Sequence, residues 1–170
     1  IPFTSVLDLG AGDGEHSLIF KENGKVVNEL RFSDGDYLIQ EYEGFDCIWA
    51  SHVLEHQLNV NLFLKKCFKD LNDGGILAIT VPPLKNEIVG GHLTLWNAGL
   101  LLYNLILAGF DCSTASVKTY GYNIIVIVKK KKCTPKGLVM DYGDIELIKQ
   151  YLPLEAKNDT FNGDIEELNW

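Results

Sequence analysis

The fold of this 170-residue chain is decided by residues 6–14, VLDLGAGDG. A short apolar segment, Ser5 to Leu9, predicts a strand that stops at Gly10. Three glycines at alternate positions then allow a tight turn and leave room for a ligand against the main chain. Asp8, near the end of the strand, can accept a hydrogen bond from an amine of that ligand. A helix from about Glu15 to Lys21 should follow, so the stretch predicts a strand, a ligand-binding turn and a helix.

The rest of the chain alternates between apolar strands and helices. Further strands are predicted at residues 26–32, 45–50, 76–81, 116–120 and 122–128, and further helices at 60–71, 95–108 and 144–151. This order is typical of an α/β fold, and we predict a Rossmann-like three-layer sandwich. Its sheet should be mostly parallel, with an antiparallel edge strand from the closing pair. Ligands bind at the carboxyl ends of such strands, so the site is expected after residues 9, 50 and 81.

Composition and charge narrow the class of partner. The net charge is −8, and an acidic protein repels phosphates, so we do not expect nucleic acid as the substrate. The apolar stretch 93–110 is too short and too polar for a membrane span and favours a buried helix. Four widely spaced cysteines and no export signal predict a cytoplasmic protein with reduced thiols. The expected partner is therefore a small molecule.

Residues 8–14 resemble the first motif of class I S-adenosylmethionine-dependent methyltransferases, D-x-G-x-G-x-G. The resemblance implies S-adenosyl-L-methionine as the cofactor, with Asp8 near its amino group. It also implies that the turn lies against the methionine and ribose part of the cofactor through Gly10, Ala11, Gly12 and Gly14.

Residues 45–56, FDCIWASHVLEH, resemble the fourth strand and following turn of methyltransferases related to ubiquinone biosynthesis. Ser51, at the end of this strand, is a further candidate cofactor contact. Residues 49–109 are also similar to methyltransferases of bacterial capsule and surface-polysaccharide synthesis. That resemblance implies a sugar, a sugar phosphate or a related small polar metabolite as the methyl acceptor.

The second strand of the family usually ends in an acidic residue that holds the ribose hydroxyls. Here the segment between the two motifs is short for two helices and two strands. We therefore assign residues 26–32 to the third strand, with the second strand shortened or absent. On this assignment Gly35-Asp36-Tyr37 resembles the Gly-Asp of the family that contacts adenine, which makes Asp36 and Tyr37 candidate cofactor contacts. Glu29 is the weaker alternative, as a ribose contact.

Two histidines are candidates for the base that removes a proton from the acceptor, because an unperturbed imidazole titrates near neutral pH. His52 follows the fourth strand of the family pattern, and His92 follows a Gly-Gly pair that suits a mobile lid. The residues predicted to contact the substrate are His56, Gly91 and Trp96.

The pattern His52-x-x-Glu55-His56 also matches the inverted zinc-peptidase motif. A zinc site needs a third protein ligand and a long, stable helix that carries the pair. Residues 53–61 are a poor helix, so we predict no metal. Glu55 and His56 could instead tie down the turn by hydrogen bonds.

These features predict methyl transfer to an oxygen or nitrogen of a small polar metabolite. The methyltransferase domain would span residues 1–132, with an acidic extension, 133–170, packed on it or trailing. Two alternatives stay open: a non-catalytic module that keeps the cofactor fold, and an NAD-type oxidoreductase. The fingerprint of the second is G-x-G-x-x-G, whereas here one residue separates Gly12 from Gly14, and Asp13 places a negative charge where a pyrophosphate would lie.

Overall fold

A six-stranded sheet forms the centre of the molecule, with helices on both faces. The computed structural model describes residues 2–157, 163–165 and 169. The strands are β1 (Ser5–Leu9), β2 (Val26–Leu30), β3 (Phe45–Ser51), β4 (Leu71–Val81), β5 (Ser116–Tyr120) and β6 (Asn123–Lys129). The helices are α1 (Glu15–Glu22), α2 (Val60–Asp70), α3 (Ala98–Ala108) and α4 (Asp144–Ile148). Single 3-10 turns lie at Phe32–Asp34, Tyr37–Ile39, Leu54–His56, Lys149–Tyr151 and Leu154–Ala156.

The order of strands in the sheet is β2-β1-β3-β4-β6-β5. The first four strands in this order run parallel. β6 runs antiparallel to both of its neighbours, and β5 forms the edge beyond it. This arrangement confirms the predicted α/β class, a Rossmann-like sandwich with a mostly parallel sheet.

The two faces of the sheet carry cores of different size. Alternate residues of a strand point to opposite faces. On one face the central strands pack on α2 and α3 and form the main core. On the other face a smaller cluster packs against Phe20 of α1 and consists of Val6, Cys47 and Ile76. Because both faces are covered, the parallel strands read as nearly continuous apolar runs in the sequence.

β2 lies directly beside β1, with Glu29 opposite Asp8. In doubly wound sheets this is the place of the second strand, since the third lies outside it. The prediction that residues 26–32 form the third strand is therefore wrong. Among the described residues no strand lies outside β2, and residues 31–44 contain two 3-10 turns instead.

The long apolar stretch of the sequence forms α3, a buried core helix. It begins at Ala98 rather than at residue 95, because the Asn97 side chain accepts a hydrogen bond from the backbone N–H of Leu100 and caps the helix. It ends at Gly109, whose left-handed φ of 108° closes the last turn. No helix in the described ranges is long and apolar enough to cross a membrane.

Part of the acidic segment that begins at residue 133 packs on the rest of the fold. The side chains of Ile148, Leu152 and Ala156 are buried in the main core cluster. The predicted helix near residues 144–151 is present as α4 followed by one 3-10 turn. Among its described acidic residues, Asp141, Glu146 and Asp164 are exposed, whereas Asp144 is buried.

Candidate active site

A cleft of about 910 Å³ opens at the carboxyl ends of β1, β2 and β3. This is where parallel α/β sheets bind ligands, and the volume lies within the range of small-molecule sites. The cleft is lined by Leu9, Gly10, Leu30, Arg31, Phe32, Gly35, Asp36, Tyr37, His52, Val53, His56, Gln57, Leu58, Phe63, Gly91 and Leu93. Six of the predicted site residues are therefore brought together: Gly10, Asp36, Tyr37, His52, His56 and Gly91.

The glycine turn has the backbone geometry that its sequence requires. Gly10, Gly12 and Gly14 have φ angles of 74°, 52° and 85°, in the left-handed region that favours glycine. The backbone N–H groups of Gly10 and Ala11 both donate to the carbonyl oxygen of Leu30 and anchor the turn to the end of β2. A Cβ at Gly12 would meet no atom closer than 4.0 Å, so the main chain there is open to a ligand.

Asp8 lies beneath the turn and not on the cleft wall. Its carboxylate is 2% exposed and accepts a hydrogen bond from the Ser17 hydroxyl of α1 at 2.6 Å. Burial raises the pKa of this carboxyl group above its ordinary value. In this arrangement Asp8 holds the start of α1 against the end of β1.

The polar group at the end of β2 is a cation, which sequence reasoning missed. Arg31 lines the cleft, donates from Nε to the carbonyl oxygen of Gly12 at 2.9 Å and pairs with Glu29. Glu29 also pairs with Lys21, and this hydrogen bond lowers the pKa of the Glu29 carboxyl group. The sequence could have indicated a cation at this end of the strand, because Arg31 directly follows Leu30, the buried last residue of β2.

Asp36 and Tyr37 begin a 3-10 turn on the β2 side of the cleft. The Asp36 carboxylate accepts a hydrogen bond from the backbone N–H of Leu38 and caps this turn. The Tyr37 hydroxyl donates to the buried carboxylate of Asp70 at 2.8 Å, and Lys66 donates to the same oxygen at 2.7 Å. Burial of the Tyr37 ring raises the pKa of its hydroxyl. The turn is thus anchored to α2 by a buried polar network.

His52 stands at the end of β3 in an unusual backbone conformation. Its φ of 54° is uncommon for a residue other than glycine and directs the ring toward the cleft. Nδ1 lies 3.2 Å from Oε1 of Glu55, and Nε2 lies 2.9 Å from Oδ1 of Asn123. The ring stacks on Tyr122 with centroids 6.1 Å apart. Asn123 and Tyr122 come from the β5–β6 end of the sheet, and no motif pointed to them.

The loop that contains His92 is docked on the turn that contains His56. The backbone N–H groups of Leu93 and Thr94 donate to the carbonyl oxygen of Glu55 at 2.7 and 3.3 Å. Nδ1 of His56 lies 2.7 Å from the carbonyl oxygen of Gly91. These bonds explain why Gly91 and His56 share one wall of the cleft.

Several predicted site residues lie outside the cleft lining. Trp96 is 2% exposed and packs in the hydrophobic core, so the structure gives it a packing role instead of a ligand surface. Ser51 accepts a hydrogen bond from the Thr80 hydroxyl of the neighbouring strand. The other predicted residues beside the cleft, but not lining it, are Asp8, Ala11, Gly12, Gly14 and His92.

Comparison with known sequences gives one family match and one curated relative. A family model described as a methyltransferase domain matches residues 2–104. Trans-aconitate 2-methyltransferase of Deinococcus radiodurans is 28% identical over 102 residues. That match covers 48% of this chain and 39% of the relative, so the chain spans less than half the length of this curated protein.

Solved structures share the fold at low sequence identity. Burkholderia thailandensis 1,6-didemethyltoxoflavin-N1-methyltransferase, solved with 1,6-didemethyltoxoflavin and S-adenosylhomocysteine, aligns with a TM-score of 0.65 and 17% identity. The alignment covers 75% of this chain and 71% of that one. An S-adenosylmethionine-dependent methyltransferase from Archaeoglobus fulgidus aligns with a TM-score of 0.59 and 18% identity, over 75% of this chain and 86% of that one.

Proposed function

The chain belongs to the methyltransferase domain family, and we propose that it transfers the methyl group of S-adenosylmethionine to an oxygen or nitrogen of a small polar metabolite. The observation that carries the proposal is the glycine turn beside a cleft of about 910 Å³. A turn with an open main chain at the end of β1 suits a ligand that lies along the backbone. The curated relative and the Burkholderia structure are both named for small molecules, which supports a small acceptor.

The cofactor would lie along the glycine turn and reach into the cleft toward β2. Gly10, Ala11, Gly12 and Gly14 would carry its methionine and ribose part, with Asp8 and Ser51 as supporting residues. Asp36 and Tyr37 would contact the adenine, because both lie on the cleft wall. The buried hydrogen bond from Tyr37 to Asp70 keeps this wall in place.

The ribose is the part of the cofactor that the end of β2 fits least well. Glu29 is the carboxylate on this strand, and it is already paired with Lys21 and Arg31. We therefore propose no ribose contact for Glu29 and keep Asp36 as the acidic residue that faces the cofactor. Arg31 would border the ribose from the β2 side, since it lines the same cleft.

His52 is the proposed base for a hydroxyl acceptor, with His92 as the alternative. When bound, the cofactor supplies a methyl group already activated on a sulfonium, so the protein mainly positions the acceptor and excludes water. The Glu55 carboxylate can hold a proton on Nδ1 of His52, which leaves Nε2 to accept the proton of the acceptor. Because Oδ1 of Asn123 can only accept, the contact with it requires a proton on Nε2, so His52 would act as a base only after Nε2 has lost that proton and left Asn123. His56 and Gly91 would contact the acceptor on the neighbouring wall.

We propose a sugar or sugar phosphate of surface-polysaccharide synthesis as the acceptor. What supports this choice is the resemblance of residues 49–109 to capsule methyltransferases. His56, from the turn after β3, and Gly91, from the loop after β4, line one wall of the cleft, and neither belongs to the glycine turn. Variation in this wall would therefore select the acceptor without altering the cofactor contacts.

Thermal unfolding with S-adenosylhomocysteine tests the cofactor assignment, with NADH as the control ligand. At about 100 times its dissociation constant, a ligand specific for the folded state adds about 2.7 kcal/mol. For a chain of this length that corresponds to a rise in Tm of about 5–10 °C. A shift with S-adenosylhomocysteine alone agrees with the proposal. A shift with NADH alone contradicts it and favours the oxidoreductase, and no shift with either contradicts cofactor binding.

The role of the base is tested by turnover of His52→Ala and His92→Ala against a panel of sugar phosphates. The matched control is His16→Ala, since His16 lies on α1, packs on Trp49 and is not part of the cleft lining. Loss of a general base should lower kcat by about 100-fold or more. Wild-type turnover in both variants would refute the assignment of a histidine base.

A further inference from the structure

The methyl-transfer scheme gives Glu55, His56 and His92 separate roles, but their side chains also converge beside the cleft. Glu55, His56 and His92 each offer one ligand atom, and these atoms all lie within 4.8 Å of one another. Glu55 and His56 belong to the 3-10 turn after β3, whereas His92 comes from the loop after β4. The cluster borders the cleft, because His56 and Gly91 form part of its lining.

The carboxylate of Glu55 is buried without full compensation. The residue is 0% exposed, and Oε2 has no hydrogen-bond partner within the described part of the chain. Oε1 lies 3.2 Å from Nδ1 of His52 and 3.9 Å from Nε2 of His56. A buried acceptor without a partner is costly, and an ionised carboxylate more so. A bound cation would supply the missing interaction.

The hydrogen bond of His56 leaves its other ring nitrogen ready to act as a ligand. A carbonyl oxygen can only accept, so the contact with Gly91 places the proton on Nδ1 of His56. Nε2 then carries the lone pair, and it is Nε2 that lies on the Glu55 side. A backbone carbonyl that fixes the tautomer in this way is the usual support of a metal-binding histidine.

The loop that carries His92 is held in register with the other two residues. Leu93 and Thr94 donate their backbone N–H groups to the carbonyl oxygen of Glu55, so the chain next to His92 is tied to the chain of a second ligand. The His56 and His92 rings meet edge to face with centroids 5.1 Å apart. The three residues are therefore brought together by the fold and not by chance contact of long side chains.

We propose that Glu55, His56 and His92 form a binding site for a divalent transition-metal cation of the Zn²⁺ class. Two imidazoles and one carboxylate are a common ligand set for zinc, with a fourth position left for water or substrate. Bonds of about 2.1 Å in a tetrahedral site need ligand atoms about 3.4 Å apart. Oε1 of Glu55 and Nε2 of His56 lie 3.9 Å apart, so these ligands would draw together by about half an ångström around a cation. Since His56 lines the cleft, an acceptor oxygen bound there could take the fourth position.

This proposal replaces the expectation of no metal that the sequence supported. The zinc-peptidase pattern pairs His52 with His56 on one helix, but residues 54–56 form a single 3-10 turn and His52 is not part of the cluster. The third ligand that the sequence lacked comes from His92, through a loop contact that spacing does not reveal. A cation on His92 also leaves His52 as the base in the proposed reaction.

Zn²⁺ binding to the chelator-treated chain, followed by isothermal titration calorimetry, tests the site without any methyl acceptor. We expect saturable binding of one cation per chain. His92→Gln and His56→Gln should each weaken it by about 100-fold or more, since loss of even an outer-shell partner costs 10–100-fold. The matched control is His16→Gln, which removes an exposed histidine of α1 and should bind like the wild type.

Each outcome of the titration bears directly on the metal site. Wild-type affinity in both His92→Gln and His56→Gln, or no saturable binding by the wild-type chain, overturns the proposal. Equal weakening in His16→Gln also overturns it, because binding would then be spread over surface histidines. Circular dichroism of each variant shows that the fold is kept, and Co²⁺ absorption in place of Zn²⁺ reports the ligand geometry directly. Cation binding does not depend on methyl transfer, so this test and the cofactor test fail separately.

Discussion

Gly10→Ala is the most direct test of the contact between the glycine turn and the acceptor side of the cleft. Gly10 has a φ of 74°, and a Cβ at this position would lie 2.4 Å from Cγ2 of Val53. Val53 is β-branched, so it has few alternative rotamers to move into. The substitution therefore combines an unfavourable backbone conformation with a clash against a stiff side chain.

Gly24→Ala separates the two effects. Gly24 has a φ of 72°, and a Cβ there would meet no atom within 4 Å. In both variants the new alanine must adopt the left-handed conformation, which costs about 1–2 kcal/mol. Only in Gly10→Ala does the new Cβ also overpack against a neighbour, which costs about 1–3 kcal/mol. We expect Gly10→Ala to lower the free energy of unfolding by about 1–3 kcal/mol more than Gly24→Ala does.

Urea denaturation measures the difference, and a double-mutant cycle with Val53→Ala assigns it. Removing the Val53 methyl groups should recover most of the excess loss in Gly10→Ala and none of the loss in Gly24→Ala. Equal losses in the two glycine variants would refute the reasoning. The reasoning would also be refuted if Val53→Ala left the loss of unfolding free energy in Gly10→Ala unchanged.

Three further outcomes are expected. Tyr37→Phe removes the donor to buried Asp70 and should lower the free energy of unfolding by about 1.5–3 kcal/mol, measured in urea; an unchanged value would mean that Lys66 alone satisfies this carboxylate. Hydrogen bonds from the Ser5 backbone, the Asn72 side chain and the Thr4 backbone lower the pKa of Asp46 from 3.8 to about 2. Its stabilisation is therefore complete above pH 3.8 and is lost as the pH falls toward 2. An acid titration of unfolding should show this loss in the wild type and not in Asp46→Asn. Burial raises the pKa of the cysteine thiols, to about 12 for Cys47 and Cys67. A thiol reagent near neutral pH should thus label no cysteine in the native chain and all four in urea, and rapid native labelling would contradict their burial.

The parts of the fold that depend on local sequence could be predicted from it. β1 and β5 have the predicted bounds, because each is a short segment that a glycine closes, Gly10 after β1 and Gly121 after β5. α2 shows helical spacing of its apolar residues and ends within a residue of the prediction. The start of α3 was misplaced, since Leu95 fits the apolar pattern while the cap at Asn97 decides where the helix begins.

The parts that depend on pairing between distant segments could not be predicted in the same way. The residue pattern of 26–32 does not show that this strand pairs with β1. We assigned it from the length of the segment between the two motifs, which placed it as the third strand instead of the second. The contact between His52 and Asn123 joins β3 to β6, and the contact between Glu55 and the His92 loop joins two crossovers. Single residues in such pairs look ordinary in the sequence, and only the fold brings them together.

Within the part of the chain that the structure describes, β2 is an edge strand of the sheet, which bears on how the molecule behaves at high concentration. The outer backbone groups of an edge strand can pair with another chain and start aggregation, and natural proteins limit this with short strands and charged side chains. β2 has five residues, and Glu29 with its partners Lys21 and Arg31 places an ion-paired cluster on it. The charged groups paired with Glu29 therefore have a second consequence, because charge on an edge strand disfavours its pairing with the same strand of another molecule.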